Sequence, residues 1–202
     1  MKLIDQSFKI VSYTPDMEKL IEFCGRTCYQ SRNKITEDSH KKFIKSLIDR
    51  GHESVIEHGL ITAEIKTNRG IMAELTRHRL ASFSISSTRY LRLDGDIEFI
   101  KPVWWNDWGS GAQYYFKEAL ESSEYGYKIL LKEGSRPEQA RELLPEALAT
   151  TIIISTNPRE WRHIFKLRTS KAAHPQFRTL AKDMLKEFSN KWSSLFGDIE
   201  ND

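Results

Sequence analysis

Hydrophobic and polar positions alternate with changing period along this chain, and each change marks an element. Phe8–Ser12 predicts a short strand and Met17–Cys28 a helix. Thr36 can cap a second helix that carries Phe43, Ile44, Leu47 and Ile48 on one face, with Gly51 just past its end. Leu60–Lys66 has the period-two pattern of a strand. Arg69–Arg79 predicts a helix with Ile71, Met72 and Leu75 inward, followed by a loop. Ile97–Ile100 predicts a short strand closed by Pro102.

The second half is more helical. Gln113–Leu131 predicts a helix, and Ser135 and Glu138 stand at capping-box spacing before a helix that Pro145 ends or bends. Thr150, Thr151, Ile152, Ile153 and Ile154 predict a buried strand over Ala149–Ser155. Asn157-Pro158-Arg159-Glu160 is a helix start, with Asn as cap and Pro in the first turn. Phe177, Leu180, Ala181, Met184, Leu185, Phe188, Trp192 and Leu195 keep a 3–4 spacing, so they predict one long C-terminal helix. No repeat, low-complexity stretch or Pro/Gly-rich linker interrupts the pattern, so residues 1–202 read as a single domain. Helices and scattered strands without βαβ regularity predict an α+β fold. The expected core is a central, mostly antiparallel or mixed sheet flanked by helices.

Composition narrows this picture little. The 202 residues are 39% hydrophobic and 29% charged, an ordinary globular balance. A net charge of +3 does not by itself mark a nucleic-acid binder. No apolar run is long enough to span a bilayer, and Met-Lys-Leu-Ile-Asp-Gln lacks the apolar core of a signal peptide, so a cytoplasmic protein is expected. Cys24 and Cys28 form neither a zinc knuckle nor a Cys-x-x-Cys pair and predict packed, reduced thiols.

Local chemistry changes the picture more. Arg77, His78, Arg79, Arg89 and Arg92 surround the hydroxyls of Ser82, Ser84, Ser86, Ser87 and Thr88, with no acid among them. Fixed cations beside short donors suit an anion with several oxygens, above all a phosphate; the bland alternative is a solvated basic turn. Glu74 lies one helical turn before Arg77 and His78 and can pair with one of them. In Gly51–His58 the histidines are six apart, so on a helix their rings diverge, and Ser54 and Glu57 read more simply as a capping box. No metal site is expected. On the helix after Asn157, Arg168 shares the apolar stripe of Trp161, Ile164 and Phe165 and needs an anionic partner, either a structural carboxylate or a ligand. Arg159, Arg162, His163, Lys166 and Lys171 make its surroundings cationic. Gly-x-Ser-x-Gly, the P-loop and Gly-x-Gly-x-x-Gly are absent, so a redox cofactor would not sit in a Rossmann crevice.

Taken in order, several blocks resemble the flavin-dependent thymidylate synthases, the thymidylate synthase complementing family. They are Arg26-Thr27-Cys28-Tyr29; Gly51-His52-Glu53-Ser54 with Glu57-His58; and Arg77-His78-Arg79, seven residues, then Ser87-Thr88-Arg89-Tyr90. Phe99–Pro102, Ala140–Pro145, Asn157 with Arg159, Leu167-Arg168 and Ala172–Gln176 follow. The resemblance implies an FAD-dependent methyltransferase. It would move a one-carbon unit from methylenetetrahydrofolate to C5 of dUMP, use FADH2 re-reduced by NADPH, and yield dTMP and tetrahydrofolate. It also implies a homotetramer with shared active sites, and no nucleic-acid or membrane partner.

The same resemblance implies roles. His52, Ser54, Glu57, Arg77, His78, Arg79, Asn157, Arg159 and His163 would bind FAD. Glu74, Ser86, Ser87, Thr88, Arg89, Arg141 and Arg168 would bind dUMP, Arg89 and Arg141 at its phosphate. Arg168 would be catalytic, stabilising charge on the uracil carbonyl side. Relatives usually carry an amide or acid within the seven-residue gap, where this chain has Ser84-Ile85-Ser86; Glu74 stands where some have Gln, and Ala172 and His174 where some have His and Gln. Two other readings stay open: the same family acting on a different pyrimidine nucleotide, and a non-catalytic nucleic-acid or phosphate-binding module. A metal hydrolase using His52 and His58 is a more distant one.

Overall fold

The structure, a computed structural model, describes residues 1–199. Strands come first: β1 (Lys2–Ile4) and β2 (Ser7–Tyr13) lead into α1 (Met17–Thr27), α2 (Ser39–Asp49), β3 (Ile61–Asn68) and α3 (Arg69–Leu75). After them come β4 (Ser82–Ile85), β5 (Glu98–Ile100), α4 (Ser110–Lys132), α5 (Pro137–Ala140) and β6 (Ala149–Thr156). Helices α6 (Pro158–Arg168), α7 (Pro175–Lys191) and α8 (Ser193–Phe196) close the chain. The class is α+β, with an antiparallel sheet and helices.

Period-two patterning sets that sheet, whose strand order is β2-β3-β6-β4. Along β3 and β6 every second residue is buried and its neighbours are half-buried. The β-branched run of β6 therefore has one fully buried face, Thr150, Ile152, Ile154 and Thr156, and not two. A second, two-stranded sheet pairs β1 with β5 in parallel, Leu3 opposite Phe99.

The chain folds into two compact units. One comprises Met1–Ser7, Ile65–Arg77 and Ser84–Ile152. Its core gathers Ile97, Phe99, Leu120, Tyr127, Leu131, Ala140 and Leu148. The Tyr127 hydroxyl, carried into this core by α4, accepts the Leu93 N–H at 3.1 Å. The other comprises Phe8–Glu64, His78–Phe83 and the described residues from Ile153 onward. Its centre is aromatic: Trp161, Phe165, Phe188 and Phe196 pack with ring centroids 5.0–5.8 Å apart. Burying each such ring contributes about 1.5–3 kcal/mol. Trp161 also donates its indole N–H to the Ile61 carbonyl at 3.1 Å. Helices α1 and α2 close tightly because Gly25 has no side chain: a Cβ there would lie 2.7 Å from the Phe43 ring and 2.9 Å from Val55.

Several expectations are corrected. Thr36 does not cap α2: its N–H goes to the Ser39 hydroxyl, and the helix begins after Asp38. Helix α3 stops at Leu75 because the Thr76 hydroxyl bonds back to the carbonyls of Met72 and Ala73, so Arg77–Arg79 lie beyond it. The stretch expected to be loop contains β4, where Phe83 and Ile85 alternate with exposed serines. The box before α5 is formed by Arg136 and Gln139, not Ser135 and Glu138; the Arg136 N–H donates to Gln139 Oε1 at 2.9 Å. Glu53–His58 is a 3-10 turn preceded by His52, and Glu57 reaches Arg159 in place of a capping bond. The long C-terminal helix ends at Lys191, and Leu195 belongs to α8. Cys24 is half-buried, but Cys28 is exposed and so not packed. No helix among the described residues is long and apolar enough to cross a membrane.

Candidate active site

In the second unit α6 organises the chemistry. Asn157 caps it, accepting the Glu160 N–H at 2.9 Å, and Pro158 fixes its first turn. Arg159, exposed, donates to Glu57 Oε1 at 2.6 Å. Glu53 lies 3.7–3.8 Å from the charged groups of Arg159, Arg162 and Lys166. The cationic surroundings expected from sequence are therefore largely neutralised. Arg162 is buried and structural, forked onto Asp198 and bonded to the Leu195 carbonyl.

The other end of α6 carries Arg168. Its Nε–H donates to His78 Nε2 at 3.1 Å, and its guanidinium lies over the Phe177 ring, 4.9 Å from the centroid. His78 is buried, its Nδ1 is 3.3 Å from Glu160 Oε1, and the exposed His163 ring stands edge-on at 5.7 Å. Burial, then the charges of Arg168 and His163, lower the His78 pKa from 6.5 to about 4. The imidazole is thus neutral near pH 7. Because Nε2 accepts from Arg168, the ring proton is on Nδ1, facing Glu160. Burial raises the Glu160 carboxyl, opposed by His163. Ligand atoms of His78, Glu160 and His163 lie within 4.8 Å of one another, a donor set that a metal could use. A divalent ion there would displace the Nδ1 proton and face the Arg168 cation, so the arrangement favours a hydrogen-bond network.

The first unit gathers a different set. Arg69, Thr88, Arg141, Glu142 and Leu144 line a cleft of about 240 Å³. Ser86, Ser87, Thr88 and Thr150 line a neighbouring recess of about 160 Å³. Thr150 is buried, and its Oγ1 has no hydrogen-bond partner among the described residues. Ser87 Oγ accepts the Arg89 N–H at 3.2 Å, and Arg89 pairs with Glu138 at 3.2 Å.

The family model described as thymidylate synthase complementing protein matches residues 9–192. The chain belongs to this family. The flavin-dependent thymidylate synthase of Geobacter sulfurreducens is 32% identical, over 94% of this chain and 84% of that protein. A probable flavin-dependent thymidylate synthase of Mycobacterium phage D29 is 31% identical, over 98% and 92%. Among solved structures, a flavin-dependent thymidylate synthase from Helicobacter pylori complexed with FAD and dUMP superposes with a TM-score of 0.79 at 27% identity, covering 96% of this chain and 99% of that one. A UMP/dUMP methylase from Streptomyces cacaoi bound with 5-Br dUMP reaches 0.82 at 22% identity, over 98% and 96%, a likeness of fold.

Within this thymidylate synthase complementing fold, the residues expected at FAD fall mostly in one unit. His52, Ser54, Glu57, His78, Arg79, Asn157, Arg159 and His163 are in the second, and Arg77 is in the first. The residues expected at dUMP, namely Glu74, Ser86, Ser87, Thr88, Arg89 and Arg141, share the first unit, whereas Arg168 joins His78 and His163 in the second. His78 takes Glu160 and Arg168 as partners, not Glu74. Four residues of these clusters escape sequence reading. Arg69 reads as the first residue of a helix, Thr150 as part of a buried strand, Glu53 as a member of the Gly51–Ser54 block without a role, and Glu160 as a helix-start acid. Glu160 alone left a signal, since it lies on a stripe that also carries a buried-side arginine.

Proposed function

We propose that this chain is a flavin-dependent thymidylate synthase that converts dUMP to dTMP. The observation that carries the reading is the Arg168 guanidinium held by a neutral His78 in a chain of this family. The relatives named above are flavin-dependent thymidylate synthases, and the Helicobacter pylori structure holds FAD and dUMP. The donors of the second unit fit FAD in kind. Exposed Arg79 and Arg159, with the Ser54 hydroxyl, suit diphosphate oxygens and ribose hydroxyls, and His52 and His163 present rings. Asn157 and His78 would complete that set, and Arg77 would contribute a further cation to FAD.

Reduced FAD, when bound, would supply the hydride that turns the transferred methylene into a methyl group, and NADPH would restore it. The residues bind and polarise. Arg141 and Arg69 would take the dUMP phosphate beside Thr88, with Arg89 as a further cation, and Glu74 would accept from a nucleotide N–H or hydroxyl. Ser86, Ser87 and the unpartnered Thr150 hydroxyl would meet further nucleotide oxygens. Arg168 would stabilise negative charge on the uracil carbonyl side as C5 gains nucleophilic character and attacks the methylene carbon of methylenetetrahydrofolate. The methylene C–N bond to tetrahydrofolate would break, and the C5 proton would be lost, the hydrogen that tritium labelling at C5 reads. No thiol nucleophile is needed. Cys24 lies on α1 and Cys28 just past its end, and Ser87 is engaged by the Arg89 backbone, so it serves as a ligand. Residues 1–202 would act as one catalytic domain in a cytoplasmic homotetramer with shared sites.

An absorbance scan tests this. The purified protein should carry a yellow flavin that NADPH bleaches. With methylenetetrahydrofolate, tritium should be released from C5-labelled dUMP in clear preference to UMP and dCMP. A protein that stays colourless after incubation with FAD overturns the reading; preference for UMP or dCMP overturns the substrate.

A further inference from the structure

Arg168 and Glu160 stand at opposite ends of α6, eight residues apart. At about 1.5 Å rise per residue that separates them by about 12 Å along the axis, too far for direct pairing. His78, from a different segment, spans the distance. Its Nδ1 is 3.3 Å from Glu160 Oε1 and its Nε2 is 3.1 Å from Arg168 Nε. We propose that Glu160 is a positioning residue for Arg168: it keeps the His78 proton on Nδ1, which leaves Nε2 to accept from Arg168 and orient the guanidinium.

The assignment follows from donor counting. Arg168 can only donate, so a His78 with its proton on Nε2 would set donor against donor. The tautomer of a neutral imidazole is set by its polar neighbours, and the Glu160 carboxylate is the acidic group beside Nδ1, 3.3 Å away. Both His78 and Glu160 are buried, so water is a poor substitute. The guanidinium also lies over the Phe177 ring, and the imidazole supplies a directional contact at Nε. His163, exposed, is the remaining titratable group beside His78 and Glu160.

The catalytic consequence rests on the function proposed above, so the test has two arms. The first reads the tautomer without activity: nitrogen NMR of the full-length protein labelled with 15N-histidine, the His78 signal being assigned by its loss in His78→Gln. Wild-type and Glu160→Gln should show a protonated Nδ1 and an unprotonated Nε2, since an amide oxygen still accepts. Glu160→Leu should move the proton to Nε2. The second arm measures tritium release from dUMP in FAD-loaded enzymes. Glu160→Leu should lower kcat by about tenfold or more with flavin content unchanged, and Glu160→Gln should stay within about threefold of wild-type. If the leucine variant does not fold, Glu160→Ala takes its place. A wild-type His78 protonated on Nε2, or a glutamine variant as impaired as the leucine one, overturns the proposal. A wild-type enzyme inert toward dUMP overturns the function instead, and the NMR arm still decides the role of Glu160.

Discussion

Glu124 offers a sharp test of how the first unit is held together. It is buried on α4, yet its carboxylate receives three donors: Lys128 Nζ at 2.7 Å, the Met1 amino group at 2.7 Å and the Ile97 N–H at 3.1 Å. Burial pushes its pKa up, but these hydrogen bonds and the Lys128 charge outweigh burial and bring it from 4.5 down to about 2. A depression of that size corresponds to about 3 kcal/mol of stability. Because the folded-state value is the lower one, the contribution is complete above the unfolded value of 4.5 and is lost as pH falls toward 2. Glu124→Gln mimics the protonated acid at nearly the same volume. At pH 7 the variant should be about 3 kcal/mol less stable, a loss of about 6–12 °C in Tm for a chain of this size. Near pH 3 the gap should shrink to about half, and near pH 2 it should nearly close. Urea unfolding of both proteins at pH 7, 4.5 and 3, read as midpoints and slopes, checks this. A gap that is the same at pH 7 and pH 3, or one below about 0.5 kcal/mol at pH 7, would refute the reasoning.

Other perturbations follow from the same contacts. Arg168→Ala should abolish methyl transfer while leaving FAD bound, whereas Arg77→Ala should weaken FAD itself; flavin absorbance after gel filtration separates the two. In Arg168→Ala the His78 pKa should rise above about 4 yet stay below 6.5, because burial, its largest cause, remains; histidine proton NMR across pH reads it. Thr150→Val should raise stability by about 1 kcal/mol in the free protein, since it removes an unpaired buried hydroxyl, and should weaken dUMP binding measured by calorimetry. Gly25→Ala should cost about 1–3 kcal/mol by thermal unfolding, despite better helix propensity, because its Cβ drives into Phe43 and Val55.

Long periodic segments were legible before any coordinates. The stripe of α7, the alternation of β3 and β6 and the Asn157 cap are local patterns whose physics is complete within a dozen residues. Three-residue β1 was not legible, since its partner β5 lies nearly a hundred residues on and a strand that short has no period to read. The same divide runs through the site. Sequence blocks named the cations, hydroxyls and histidines in order, because those residue types are themselves the chemistry. They could not say which charges are already spent. Arg162 read as part of the cationic surroundings of Arg168 and is buried on Asp198; Arg159 read as a flavin contact and is held by Glu57. Glu160 read as a helix-start acid and lies against His78. The sequence by itself determined the long elements and most of the functional groups, since both depend on neighbours within a few turns. Only the tertiary structure decided partners, burial and protonation, because a charge's partner and its access to water depend on residues that are distant along the chain and adjacent in space.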